Sequence, residues 1–99
     1  MPDTVEKAYG YHIYFWSNEG EPLEPVHIHI SKTPHPNATK YWLLQDGTLL
    51  QENNNDNIPE NELKRIITYV SLERNLGLIK EKWLIHFGEI KYLNKSERK

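Results

Sequence analysis

The sequence predicts an α+β fold, a small antiparallel sheet of three to four strands followed by two helices packed on one face. Three observations carry this expectation. Pro25-Val26-His27-Ile28-His29-Ile30 alternates imidazole with β-branched apolar side chains at period two, which is strand periodicity. Asp46-Gly47 lies between two apolar segments and suits the positive φ angles of a two-residue hairpin turn. Beyond Asn57 the apolar spacing changes to that of a helix, with Leu63, Ile66, Ile67 and Val70 at i, i+3, i+4 and i+7.

The elements follow in order. Tyr11-His12-Ile13-Tyr14-Phe15-Trp16 is aromatic and β-branched and reads as the first strand, ended by the loop residues Ser17 to Pro22. Val26 to Ile30 is the second, closed by Thr33-Pro34-His35-Pro36-Asn37 because prolines cannot continue a ladder. Thr39 to Gln45 and Thr48 to Gln51 form a hairpin around Asp46-Gly47, and Glu52-Asn53-Asn54-Asn55-Asp56-Asn57 reads as a surface excursion. Asn57-Ile58-Pro59-Glu60 offers an N-cap, an early helical proline and a capping-box glutamate for the first helix. The second begins near Asn75 or Leu76, carries Ile79, Trp83 and Phe87 along one stripe and ends at Gly88. Ile90, Tyr92 and Leu93 add a last packed piece before the charged tail Lys95 to Lys99.

Composition bounds the function. With 99 residues, 37% of them hydrophobic, the chain fits one domain over 1–99, with disordered ends expected near 1–7 and 95–99. The absence of cysteine excludes disulfides, thiolate catalysis and cysteine-bearing metal centres. Met1 to Gly10 holds no apolar run of signal-peptide type and no stretch is long enough to span a bilayer, so a cytoplasmic, bacterial-type protein without a membrane partner is the expectation. A formal net charge of -2 counts against a surface built to clamp long nucleic acid. Lys64, Arg65, Arg74, Lys80 and Lys82 alternate with Glu62, Glu73 and Glu81, the pattern of solvated helix faces.

His27 and His29 project from one face of their strand, roughly 7 Å apart along it, opposite Val26, Ile28 and Ile30. A polar sheet face accommodates histidines without any function. As chemistry, the pair can serve as general base and general acid, since imidazole titrates near neutral pH. As ligands, His27 and His29 supply two donors for zinc, with His35 or His12 as a third. Tyr14 and Trp16 are candidates for stacking on a base and Lys40 for holding a phosphate. Tyr11, Tyr14 and Trp16 would equally suit a protein-binding surface. His86 reads as a helix-surface histidine. No catalytic triad, phosphate loop or nucleotide fingerprint is present.

Gly10 to Gly20, Glu24-Pro25-Val26-His27-Ile28-His29-Ile30 and Asn37-Ala38-Thr39-Lys40-Tyr41-Trp42-Leu43 together resemble the bacterial family known as domain of unknown function 4160. The second half is similar to that family's helical pattern at Glu62-Leu63, Ile66, Asn75, Ile79, Trp83 and Phe87. Members usually carry two prolines directly before the first histidine, whereas here Val26 follows Pro25, and the tract Glu52 to Asn57 replaces a tighter loop. The resemblance implies a small cytoplasmic protein of a toxin–antitoxin-type module, working with a small protein partner from the family of unknown function 2442. His27 and His29 match its signature. Two alternatives stand beside this: a histidine-dependent ribonuclease or zinc-binding protein, with RNA as the partner in the first case, and a non-enzymatic protein-binding domain. A homo-oligomer stays open.

Overall fold

The computed structural model describes residues 3–16 and 24–93. The chain runs β1 (Asp3–Ala8), β2 (Tyr11–Tyr14), β3 (His27–Ser31), β4 (Thr39–Leu43), β5 (Leu49–Asn53), α1 (Glu60–Val70) and α2 (Glu73–Phe87). The strands form one antiparallel meander in the order β1-β2-β3-β4-β5. The α+β class therefore holds, but the sheet has five strands rather than three to four.

The added strand is β1, which overlaps the segment 1–7 expected to be disordered. Its sequence, Asp-Thr-Val-Glu-Lys-Ala, has no alternating apolar face to announce it. It exists because Tyr9 and Gly10 turn back at φ 52° and 85° and bring Ala8 opposite Tyr11. Positive φ at a tyrosine is costly, so the turn has no clear sequence signature. The expected loop over Ser17 to Pro22 and the tail Lys95 to Lys99 lie outside the described residues.

The hairpin between β4 and β5 also differs in detail. Gln45-Asp46-Gly47 makes a three-residue loop between Leu44 and Thr48, whose backbone groups pair at 2.8 Å. Gly47 supplies φ 89°, and Asp46 accepts a bond from the Thr48 N–H at 2.9 Å, so the turn chemistry is as read although its length is not.

One face of the sheet carries Ile13, Phe15, Val26, Ile28, Ile30 and Leu43, which pack with Ile66 and Val70 of α1 and Ile79 and Trp83 of α2. All ten are wholly buried. Helix α1 begins differently from expectation: Pro59 is its N-cap and makes no side-chain cap bond, while Asn57 stands outside at φ 53°. A fixed proline φ there sets the entry angle in place of a capping box. Helix α2 starts at Glu73, ahead of Asn75. The Asn75 side chain is buried and donates to the Tyr69 carbonyl at 2.8 Å, tying the start of α2 to the end of α1 instead of capping a helix. Gly88 ends α2 in the left-handed region, with its N–H on the Leu84 carbonyl at 2.8 Å. Ile90 and Tyr92 pack on the core, and the Val26 N–H donates to the Lys91 carbonyl at 2.9 Å, which seats the C-terminal segment beside β3.

Two buried phenols give the fold an alkaline limit. Burial raises Tyr11 above its ordinary 10.0, helped by its 3.1 Å bond to the Glu62 carboxylate, and burial raises Tyr41 likewise. A raised folded-state value means that the neutral phenol contributes stability below the unfolded value of 10.0, lost as pH climbs through the folded one. Absorbance at 295 nm should show both phenols ionising above the ordinary tyrosine value of 10.0. The thermal midpoint should fall over the same pH range, and Tyr41→Phe should reduce the fall.

Candidate functional site

All five residues of β3 are buried, so the histidine face is not the wet sheet face that its alternation suggests. His27 is 0% and His29 5% exposed. Their rings lean together edge to face, with centroids 5.3 Å apart. His27 lies edge-on to Trp42 and to Trp83, each at 5.3 Å, and Tyr14 stacks on His29 at 5.5 Å. The His27 Nδ1 sits 2.9 Å from the Pro25 carbonyl oxygen. A carbonyl only accepts, which assigns the proton to Nδ1. His27 is thus held by aromatic edges and a backbone acceptor, and solvent does not reach it.

The register carries these residues into a row across the sheet. Tyr14 on β2 pairs with His29 on β3, His29 with Lys40 on β4, and Lys40 with Asn53 on β5. Above this row lies an open cleft of about 410 Å³. His29 and Lys40 line its floor, Trp16 and Glu24 one part of its wall, and Pro36, Asn37, Ala38, Asn53 and Asn55 the rest. The Lys40 ammonium is 3.1 Å from the Glu24 carboxylate and 4.2 Å from the centre of the Trp42 ring. Of the binding candidates, Trp16 and Lys40 therefore meet His29 in one cleft. Tyr14 does not reach it: its side chain is fully buried, and its hydroxyl accepts from the His35 N–H at 3.2 Å and donates to the His35 carbonyl at 3.3 Å.

His35 faces a second cleft, also of about 410 Å³, with Tyr11, Ser31, Lys32 and Thr33 around it. Its Nε2 is 2.7 Å from the Asp56 carboxylate. The set His27, His29 and His35 is therefore divided, the first two under the sheet face and the third engaged by Asp56. Among the described residues, no group of three His, Asp or Glu side chains gathers to hold a metal ion. His86 is exposed on α2 with its ring edge-on to Phe15 at 5.5 Å, the surface position expected of it.

The asparagine tract is the part of the site that sequence reasoning missed. Asn54 accepts from the Ile58 N–H and donates to the Ile58 carbonyl, both at 3.0 Å, and it also accepts from the buried Thr39 hydroxyl at 2.9 Å. The same hydroxyl accepts the Asp56 N–H at 3.2 Å. This loop is thereby fixed against β4, which presents Asn53 and Asn55 to one cleft and Asp56 to the other. The usable signal was positional: a run of short amides directly after a strand favours Asx-type turns that fold back on the backbone.

A family model described as Domain of unknown function (DUF4160) matches residues 10–84, from the β1–β2 turn into α2. No curated protein and no solved structure matches the chain.

Asn54→Ala should destabilise the fold by about 1–3 kcal/mol in urea denaturation, because it strands buried donors and acceptors. Asn55→Ala, at an exposed position, should stay within about 0.5 kcal/mol of the parent.

Proposed function

Because the chain belongs to the DUF4160 family, we propose that it is one component of a toxin–antitoxin-type module and acts by binding a small protein partner. The observation that carries this reading is a shallow groove of about 400 Å³ between the β1–β2 turn and α1, lined by Tyr9, Lys64, Arg65, Thr68, Tyr69 and Leu72. Tyr9 is 61% and Leu72 53% exposed. Tyr9 and Arg65 are residue types enriched at interface hot spots, and the exposed Leu72 adds apolar surface beside them. They suit a partner that presents an apolar side chain flanked by carboxylates. The aromatic surface expected at Tyr11 and Tyr14 is absent, because both are interior, and Tyr9 takes that place.

The burial of His27 supports binding over chemistry at that residue. A general base must come within hydrogen-bond reach of the proton it removes, and His27 is sealed behind Trp42 and Trp83.

The test is co-expression with the product of the adjacent reading frame. The proposal expects a complex in size-exclusion chromatography, with growth impaired when one component is induced alone and restored when both are. Leu72→Asp or Arg65→Glu should weaken the complex by about tenfold or more. A chain that elutes alone, with growth indifferent to the neighbour, would contradict it.

A further inference from the structure

The cleft above His29 is separate from the Tyr9–Leu72 groove and has different chemistry. Its wall combines one large aromatic ring, Trp16, with three carboxamides, Asn37, Asn53 and Asn55. Trp16 meets Tyr14 edge to face at 5.4 Å and 82°, and Tyr14 is itself wholly buried and hydrogen-bonded, so the indole plane is braced from inside. Each carboxamide offers both a donor and an acceptor. Asn53 accepts the Asn55 N–H at 3.2 Å, which fixes the turn that presents both side chains.

We propose that this cleft binds an unpaired nucleobase, with the Trp16 indole stacking on its ring and the asparagine carboxamides meeting its polar edge. A planar aromatic ring with donors and acceptors along its rim matches both halves of the wall at once. A volume of about 410 Å³ suits one nucleotide rather than a duplex. Charge points the same way. Among the described residues Lys40 is the one lysine or arginine in the lining and Glu24 stands 3.1 Å from it, so these residues neutralise at most one phosphate and do not form a basic track for a long strand. The base can come from a free nucleotide or from a single-stranded RNA, and the shared chemistry is the unpaired ring.

The experiment is fluorescence anisotropy with a labelled single-stranded hexaribonucleotide, with the four ribonucleoside monophosphates as competitors, and backbone amide NMR shifts to locate the contact. Wild-type protein should bind, with shifts at Asn37, Asn53 and Asn55, and log affinity should fall with log salt at a slope near −0.7, one phosphate's worth. Trp16→Ala should weaken binding by about 5- to 150-fold, the range for losing one stacked base. Asn55→Ala is the control for folding: its exposed position leaves the thermal midpoint unchanged while it should alter the order of preference among the four bases. Monophosphates competing as well as the hexamer would assign the site to free nucleotides, and a clear gain for the hexamer would assign it to a strand. Absence of binding by any of them at millimolar concentration would overturn the proposal. So would shifts confined to the Tyr9–Leu72 groove, or equal affinity in the Trp16→Ala and Asn55→Ala variants and the parent, and a peptide-like ligand would then be the better reading of the carboxamides.

Discussion

Burial of both faces of β3 is the constraint on which the rest of this structure depends. A central strand with helices below and nothing above would leave His27 and His29 in water, yet every residue of the strand is buried. Taking imidazole from water is costly unless its polar atoms find partners. Here the Pro25 carbonyl accepts a hydrogen bond from the His27 Nδ1–H, the rings of Trp42 and Trp83 pack against His27, and Tyr14 stacks on His29. Trp83 belongs to α2 and also packs on Phe15 at 4.9 Å, so the same indole joins the helix to the core and to the histidine face. Loss of that ring would open a large cavity on both sides, a change that commonly costs about 3–5 kcal/mol.

The covering of β3 also creates the clefts. Tyr14, buried beside His29, grips both backbone polar groups of His35 and so sets the course of the loop between β3 and β4. Thr39 and Asn54 fix the second loop against β4. Between the two loops runs the 2.7 Å contact of His35 with Asp56. On one side of it lie Pro36, Asn37, Asn53 and Asn55 over the His29 row, and on the other Lys32, Thr33 and Asn57. Two loops without regular structure acquire a defined shape because their polar groups are bonded to buried residues of the sheet.

Much of the fold was legible in the sequence because it is written in local periodicity. The period-two strands at Tyr11, Val26 and Thr39, the helical stripe of Leu63, Ile66 and Val70, and Gly88 as a helix stop are consequences of neighbouring residues alone. Strand β1 was not legible, since its place is decided by pairing with β2 through a tyrosine at positive φ. The capping of α1 was misread for a related reason: Asn54, reaching Ile58 from four positions earlier, and the fixed angle of Pro59 do the work assigned to Asn57 and Glu60. In the candidate site, His29, Trp16 and Lys40 could be singled out by residue type, whereas the depth of His27 and the pairing of His35 with Asp56 depend on contacts between residues far apart in the chain.

The claim that His27 is an internal support of the sheet is tested most directly by histidine modification with diethyl pyrocarbonate, mapped by mass spectrometry on the native protein. The account predicts rapid labelling of His86 and of His35, whose side chain is 42% exposed, and protection of His27 until the protein is unfolded. Labelling of His27 in the folded protein at the rate of His86 would contradict it and return the histidine pair to the surface as a reactive site.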